Sequence, residues 1–492
     1  MKNLFLFLLV VMFCTTQAQT IKVTVVGNPD STVMVSFPTG DVNYFFWKNG
    51  SPKVLDKNRT AVFANTLSKP SNVFVVSGKR FENVFLEPGE SIEVKIDYSA
   101  KQKVVSFTGK NAAGNLLLNK LNHPFYQYKA NYYFKQDSAA TAVKAAVLRD
   151  MQKELTPMDS LLKLKQVTPA FHKYASMEIR YYYAAVYGAA VFVQYARGSF
   201  PKGHKEYKAI MDPEYEKAWP EVFRLFPLYD PDAIMASDFY DYVRDYISWY
   251  KAVYLKEKAG VKNPVTKDNN HELYFAEINR TFGGLTQEYL LAHYLFNEAM
   301  ERDYNQQLVK LYDYFTKRYP ESKYTTFLTP LINESIAFHA RSKTELNAEE
   351  QVLDRNAYAS FDALLKNYKD RTVYVDLWAT WCAPCKEEFA FGKELKSYLK
   401  SKNITMLYIS MDRDDADEQW KNMIKFYGLT GEHIRVSPSL QKDIINRFYD
   451  GKSYSIPRYM IIKNGKILND AAMQPSDKGK LYKQIDSVVE AK

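Results

Sequence analysis

The chain has 492 residues, of which 46% are hydrophobic and 15% aromatic. This length predicts two to four domains, and this composition excludes an intrinsically disordered chain. The formal charge is +10, but lysine and arginine alternate with acidic residues and form no run of like charge. That distribution predicts an ordinary mixed surface and argues against a nucleic-acid partner.

The first residues are typical of an export signal. Lys2 supplies a positive charge, residues 4–13 form an apolar run, and residues 16–18 end in a small side chain suited to signal peptidase. We therefore expect a signal peptide over residues 1–18 and a periplasmic mature protein. Cys14 is a poor lipoprotein anchor because a bulky phenylalanine precedes it. No later stretch has the 18 uninterrupted apolar residues of a membrane-spanning helix.

Residues 19–109 have the period-two pattern of half-buried strands. Ile92, Val94 and Ile96 alternate with charged neighbours, and turn signals separate this run from others like it. Several short strands at this spacing predict a small antiparallel domain of the β-sandwich type, or a barrel.

Residues 110–345 change to a helical period. Phe239, Tyr242, Tyr246 and Tyr250 recur at spacings of three and four, and such stripes are usually core residues. We expect an α-helical domain of seven to ten helices. Six histidines lie here: His123, His172, His204, His271, His293 and His339. They form no HExxH motif and no close pair with cysteine, so the sequence predicts no metal site.

Residues 346–492 predict a compact α/β domain with a mixed sheet, because the elements follow a β-α-β-α…β-β-α order. The domain opens with a predicted helix that begins near Val352, and Asn464-Gly465 marks a hairpin. The predicted strands are 372–377, 405–409, 459–462 and 466–468, and the predicted helices are 384–399, 416–427, 440–448 and 476–490.

Cys382 and Cys385 follow the buried strand, at the start of the helix. A thiol at a helix N-terminus ionises readily because unpaired N–H groups and the helix dipole stabilise the thiolate. A thiol one turn later could attack a mixed disulfide that the first has formed. A CxxC pair can also supply half of the ligands of a zinc site, but that interpretation is excluded because no second CxxC or Cys/His pair exists. The expected chemistry is thiol-disulfide exchange that needs no cofactor.

The stretch from Val375 to Phe389, Val-Asp-Leu-Trp-Ala-Thr-Trp-Cys-Ala-Pro-Cys-Lys-Glu-Glu-Phe, resembles the active site of thioredoxin-like proteins. It is most similar to the exported TlpA/ResA branch of thiol-disulfide oxidoreductases. A second motif, Ser455-Ile456-Pro457-Arg458-Tyr459, resembles the cis-proline loop of that family. The resemblance covers about the last 145 residues and implies a thioredoxin-like fold.

The resemblance also implies roles for individual residues. Cys382 is similar to the attacking nucleophile and Cys385 to the resolving thiol. Asp376 corresponds to a buried carboxylate that exchanges a proton with the resolving thiol, although a structural carboxylate satisfied by local N–H groups is the alternative. Pro457, expected in cis, faces the disulfide, and Ile456 offers backbone groups to an extended substrate.

Other positions near the dithiol have expected environments. Trp381 is expected at the substrate-facing surface. Tyr408 stands where many thioredoxins have a lysine near the acid. Lys386, Glu387 and Glu388 are most simply interpreted as a solvated start of the helix.

Three functions stay open. The first is a periplasmic disulfide reductase that acts on a protein or small-thiol substrate and is recharged by a membrane electron donor. The second is a thiol oxidase or isomerase that uses the same cysteines, since Ala383-Pro384 does not fix the direction. The third is a binding or assembly protein with an auxiliary redox domain. Whether the chain forms a homo-oligomer is also open.

Overall fold

The computed structural model describes residues 19–28, 30–39, 50–78, 80–99, 104–133, 139–205, 207–262, 264–266 and 269–490. The predicted signal peptide, with Cys14, lies outside these residues. The chain divides into two compact units, Met1–Leu290 and Leu291–Lys492. Along the described chain, no helix has the length and hydropathy that a membrane crossing requires.

The first unit begins with strands, as the period-two pattern predicts. They are β1 (Thr20–Val26), β2 (Thr32–Ser36), β3 (Lys53–Val54), β4 (Thr60–Ala64), β5 (Ser71–Ser77), β6 (Arg80–Leu86), β7 (Ile92–Asp97) and β8 (Val104–Thr108). They form two four-stranded sheets, β4-β1-β7-β8 and β3-β2-β5-β6, which share one apolar cluster. The expectation of an antiparallel arrangement is wrong for one pair, because β1 and β7 run parallel.

Helices follow in the same unit, where the period changes to helical. They are α1 (Ala112–Lys120), α2 (Tyr126–Tyr133), α3 (Ala140–Lys163), α4 (Pro169–Ala196), α5 (Pro213–Leu225), α6 (Phe239–Asp245), α7 (Leu255–Lys258), α8 (Asn270–Thr281) and α9 (Gly284–Met300), the last of which spans the division between the units. Thr168 caps α4 by accepting a hydrogen bond from the Phe171 N–H, and Pro169 occupies its first turn. Most residues of α4 from Tyr181 to Val191 are buried, so this helix forms the centre of the helical core.

The second unit begins with helices and continues as a mixed sheet with helices. Its elements are α10 (Gln306–Arg318), α11 (Thr325–Ser342), β9 (Glu350–Val352), α12 (Phe361–Leu365), β10 (Thr372–Trp378), α13 (Ala383–Glu388), α14 (Gly392–Ser401), β11 (Ile404–Ser410), α15 (Asp417–Tyr427), β12 (Gly431–Arg435), α16 (Pro438–Tyr449), β13 (Arg458–Lys463), β14 (Lys466–Ala472) and α17 (Gly479–Glu490). The sheet order is β14-β13-β10-β11-β12-β9. The central strand β10 pairs parallel to β11 and antiparallel to β13. Six of its seven residues are buried, as a strand covered on both faces requires.

Several predicted elements of this unit need correction. Val352 lies in the edge strand β9 and not in a leading helix. The helix predicted over residues 384–399 is two helices, α13 and α14, joined by the 3-10 turn Phe389–Phe391. Strand β12 is absent from the predicted elements because its five residues include three charged or imidazole side chains and have no clear alternation.

Eleven α-helical segments lie in the described residues between 112 and 342. Two of them, α6 and α7, are joined without a break by Tyr246–Tyr254, which has a π hydrogen-bond pattern. The segments therefore form ten continuous helices, within the seven to ten that the sequence predicts.

Helices α10 and α11 belong to the same compact unit as the mixed sheet. Phe338 of α11 and the nearby Tyr304 lie in the apolar cluster that includes Val373, Val375 and Leu377 of β10. The boundary at residues 345/346 follows a change in sequence pattern and stays a prediction. The packing that surrounds the sheet nevertheless begins upstream of it.

Candidate active site

The two cysteines lie where β10 leads into α13. Cys382 is the N-cap of α13, and its sulfur accepts a hydrogen bond from the Cys385 N–H at 3.2 Å. The sulfurs form a disulfide, with the two Cα atoms 5.3 Å apart. Cys382 is 3% exposed and Cys385 is fully buried, so only the first has an edge toward solvent. This placement suits a nucleophile followed by a resolving thiol.

Asp376 lies inside β10, the strand that leads to the cysteines. It is 2% exposed, and its Oδ1 has no hydrogen-bond partner among the described residues. Burial raises its pKa well above the usual value, and the negative charge of Glu388 adds to the increase. The acid therefore keeps its proton under conditions in which an exposed aspartate has lost it.

Three tyrosines surround Asp376 in the sheet. Tyr408 of β11 and Tyr459 of β13 are its direct partners in the strand register, and Tyr374 stacks on Tyr459 at 5.7 Å between ring centroids. The alignment that put Tyr408 beside the acid is confirmed. Because a tyrosine and not a cation stands in that place, the negative charge that desolvation disfavours at Asp376 has no compensating partner there.

The loop between β10 and α13 is held by a carboxylate that the sequence analysis did not single out. Asp412 is 2% exposed and follows β11, the parallel neighbour of β10. Its oxygens accept hydrogen bonds from the Thr380 N–H at 2.9 Å, the Thr380 hydroxyl at 2.8 Å and the Ser410 hydroxyl at 2.7 Å. The only sequence signal is an acid directly after an apolar strand, where the ends of parallel strands meet.

The expectation of a solvated helix start is wrong for Lys386. This residue follows the second cysteine and is only 2% exposed. Its Nζ donates to the carbonyls of Thr380 at 2.8 Å, Glu301 at 2.5 Å and Arg302 at 3.2 Å. Burial lowers the pKa of its ammonium group to about 8. Glu301 and Arg302 lie 85 and 84 positions away in sequence, so no local pattern could have revealed these acceptors.

The Ile456–Pro457 peptide bond is cis, as the resemblance implies. The register pairs Arg458 with Leu377, which places the proline loop beside the end of β10 that leads to the cysteines. The Tyr449 hydroxyl donates to the Ser455 carbonyl at 2.9 Å and holds this loop. The structure thus brings Pro457 and Ile456 to the same end of the sheet as the dithiol.

Aromatic side chains form the exposed rim of the site. Trp381 is 56% exposed, and its ring lies 6.3 Å from that of Tyr454, which lies 5.9 Å from Tyr449. The Arg458 guanidinium lies 5.2 Å above the Tyr449 ring and is paired with Asp470. Of these three rings only Trp381 is exposed, whereas Tyr449 and Tyr454 are half-buried behind it.

In the described chain, no group of three or more histidine, cysteine, aspartate or glutamate side chains could hold a metal ion. Open cavities of about 550 and about 720 Å³ occur elsewhere, one in each unit, and neither is lined by the predicted site residues. The dithiol lies outside both of these cavities.

Comparison with known proteins supports the C-terminal assignment. Residues 361–485 match the Redoxin family. The thiol-disulfide oxidoreductase ResA of Bacillus thuringiensis subsp. konkukian (strain 97-27) is 30% identical over 110 residues, which cover 22% of this chain and 57% of ResA. ResA of Bacillus anthracis is 37% identical over 65 residues, which cover 13% of this chain and 36% of that protein.

Solved structures give matches of limited extent. The solution structure of a putative thiol-disulfide oxidoreductase from Bacteroides vulgatus has 26% identity and a TM-score of 0.21, covering 25% of this chain and 79% of that chain. A thioredoxin-like protein from Bacteroides caccae has 10% identity and a TM-score of 0.19, covering 47% of this chain and 86% of that chain.

The fold and the dithiol thus define a redox domain of the thioredoxin class. Within this class, the C-terminal region is similar to the Redoxin family over residues 361–485 and to the ResA thiol-disulfide oxidoreductases. The chain spans about half the length of the first ResA relatives it matches.

Proposed function

We propose that the protein is a periplasmic thiol-disulfide oxidoreductase that reduces disulfides of substrate proteins or small thiols through Cys382 and Cys385. The observation that carries this proposal is the dithiol at the start of α13, beside a cis-proline loop and with an exposed aromatic rim. The predicted signal peptide supports export. A binding or assembly role for the β and helical regions is compatible with this activity and would add to it.

The first chemical step uses Cys382. Its thiolate attacks one sulfur of the substrate disulfide, so a Cys382–substrate S–S bond forms as the substrate S–S bond breaks, and the leaving thiolate takes a proton. The N-cap position favours the thiolate because the Cys385 N–H in the first turn donates a hydrogen bond to the Cys382 sulfur.

The second step uses Cys385. Its thiolate attacks the Cys382 sulfur, the Cys382–Cys385 disulfide forms, and the second substrate thiolate leaves and is protonated. Overall the substrate gains two electrons and two protons, and the protein dithiol is oxidised. We assign Asp376 as the group that exchanges a proton with Cys385, because its raised pKa brings its proton affinity closer to that of a thiol. A dithiol donor at the membrane must then supply two electrons and two protons.

We assign substrate docking to Trp381 and the Ile456–Pro457 loop. The exposed Trp381 ring and the cis-proline loop suit an extended peptide more than a small charged molecule. The backbone groups of Ile456 can pair with such a peptide as an added strand, while the Trp381 ring covers the side chain next to its cysteine.

The test uses single cysteine variants of the full chain. Cys382→Ser should abolish reduction of a protein disulfide such as that of insulin, whereas Cys385→Ser should keep the first step and accumulate a mixed disulfide visible on a non-reducing gel. Full activity of Cys382→Ser in cells lacking the native protein would overturn the enzyme proposal in favour of a binding role.

The direction of transfer is tested by the potential of the dithiol in a redox buffer. A reductase should have a potential close to the value of about −270 mV found for thioredoxin, whereas a value near about −120 mV, as in DsbA, would make the protein an oxidase. A potential of about −180 mV would favour the isomerase.

A further inference from the structure

Lys386 contacts three backbone carbonyls, one in the active-site loop and two far upstream. A lysine ammonium group has three N–H donors, and here they are directed to Thr380, Glu301 and Arg302. Thr380 lies two residues before Cys382. Glu301 and Arg302 lie outside the segment 361–485 that matches the Redoxin family. The hydrogen-bond donors of Lys386, which lies in the matched segment, are therefore paired partly with carbonyls outside that segment.

The upstream acceptors belong to a short segment, Glu301–Tyr304, that is itself firmly held. Arg302 forms an ion pair with Glu334 at 3.1 Å, and the Tyr304 hydroxyl bonds to Glu334 and to Tyr427 of α15. The Tyr304 carbonyl lies 2.7 Å from His339 Nε2. Arg302 and Tyr304 both have positive φ, 51° and 58°, a conformation that costs free energy in residues other than glycine. These contacts keep the two carbonyls aimed at Lys386 despite that cost.

The ammonium group of Lys386 keeps its charge at neutral pH. Burial lowers its pKa to about 8, which still leaves most of the lysine protonated at about pH 7. The charged groups that act on it are Asp303, Glu301 and Asp412, which favour the cation, and Arg302, which opposes it. A charge in this position is screened by salt much less than an exposed one.

We propose that Lys386 is a positioning residue of the dithiol: its ammonium group ties the loop before Cys382 to the Glu301–Tyr304 segment, and its positive charge favours the thiolate of Cys382. Chain geometry limits the distance from Nζ to the Cys382 sulfur to roughly 12 Å, since only Trp381 separates Thr380 from Cys382. At about 10 Å and an effective dielectric constant of about 20, one unit charge changes thiol ionisation by roughly tenfold.

The inference rests on the proposed function but is tested by a measurement that needs no substrate. The full-length reduced protein is alkylated with iodoacetamide over a pH series, and modification of Cys382 is followed by mass spectrometry. Lys386→Met should raise the midpoint of Cys382 alkylation by about one pH unit, a roughly tenfold loss of thiolate. Lys393→Met, which removes an exposed lysine at the start of α14, should leave the midpoint unchanged.

The redox potential supplies a second readout. Because the cation stabilises the thiolate of the reduced form, Lys386→Met should make the dithiol more reducing by about 30 mV per tenfold change. If Lys386→Met does not fold, Lys386→Arg and Lys386→Gln carry the test. The arginine variant keeps the charge and should retain the native midpoint, whereas the glutamine variant should shift it upward.

A folded Lys386→Met or Lys386→Gln protein with the native alkylation midpoint and potential would overturn the proposal, even if its melting temperature fell. That result would leave Lys386 a purely structural residue. Failure of the proposed reductase activity would give a different result. The wild-type protein would then not reduce insulin, while the alkylation midpoint of Cys382 would still shift when Lys386 is replaced.

Discussion

Replacing Asp376 by asparagine measures what it costs to hold an acid inside β10. The pKa of Asp376 is raised well above the ordinary value of 3.8 because the carboxyl is buried and lies near Glu388. Between the ordinary and the raised value, the folded protein holds a proton that the unfolded chain has lost. Stability therefore falls as the pH rises through this window, by about 1.4 kcal/mol per pH unit.

The magnitude grows with the distance of the pH from the ordinary pKa of the acid. At a pH two units above the ordinary pKa of the acid, the free energy of unfolding of the wild-type protein is lower by about 3 kcal/mol. An asparagine at position 376 is neutral at every pH and does not suffer this loss. We expect Asp376→Asn to have the same free energy of unfolding as the wild type at about pH 4. Above that pH its stability relative to the wild type should increase by about 1.4 kcal/mol per pH unit, until the pH passes the pKa of the folded state.

The assay must report on the second unit alone, because a chain with two compact units need not unfold in one step. Hydrogen–deuterium exchange of β10 and β11 peptides in a urea series gives this local free energy of unfolding. Asp370→Asn, at an exposed position of the same unit, is the matched control and should show no such trend. A stability difference for Asp376→Asn that stays constant from about pH 4 to about pH 7 would refute the reasoning.

Three further predictions concern the surroundings of the dithiol. Asp412→Ala should lower the free energy of unfolding of the second unit by about 2–5 kcal/mol, because it leaves the Thr380 donors unpaired in the interior. The loss is measured in urea titrations followed by hydrogen–deuterium exchange, and a loss no larger than that of Thr380→Val would contradict this. Trp381→Ala should raise KM for a protein disulfide several-fold while sparing a small disulfide such as cystine, and equal effects on both would remove Trp381 from docking. Tyr304→Phe should lower stability by about 1–3 kcal/mol, because the hydroxyl that bonds to Glu334 is lost, and unchanged exchange protection of α11 would count against that bond.

Much of the redox site could be predicted from the sequence because its signals are local. The Val373–Trp378 run is apolar except for one acid, the first cysteine follows it after three residues, and Pro384 suits the first turn of a helix. Those features were enough to predict a strand, a dithiol at a helix N-terminus and thiol chemistry. The cis-proline loop came from a resemblance, and the structure has the cis bond at Ile456–Pro457.

Other features could not be predicted locally. Strand β12 has no readable alternation and depends on its pairing with β11 and β9. The π segment that continues α6 has its aromatic residues at a spacing of four, which an α-helix also allows, so a periodic pattern does not reveal it. In both cases the tertiary environment, and not the local side-chain pattern, decided the backbone conformation.

By itself, then, the sequence predicted thiol chemistry, because a CxxC pair after a buried strand is recognised from residues that are neighbours along the chain. The tertiary structure decided what surrounds that pair. Asp412 reaches Thr380 across 32 residues, and Lys386 reaches Glu301 across 85. From the sequence, a charged residue beside a cysteine is expected to lie in solvent. It can be buried only where the fold brings several carbonyl acceptors to its ammonium group, because a buried ammonium group without hydrogen-bond partners is unstable.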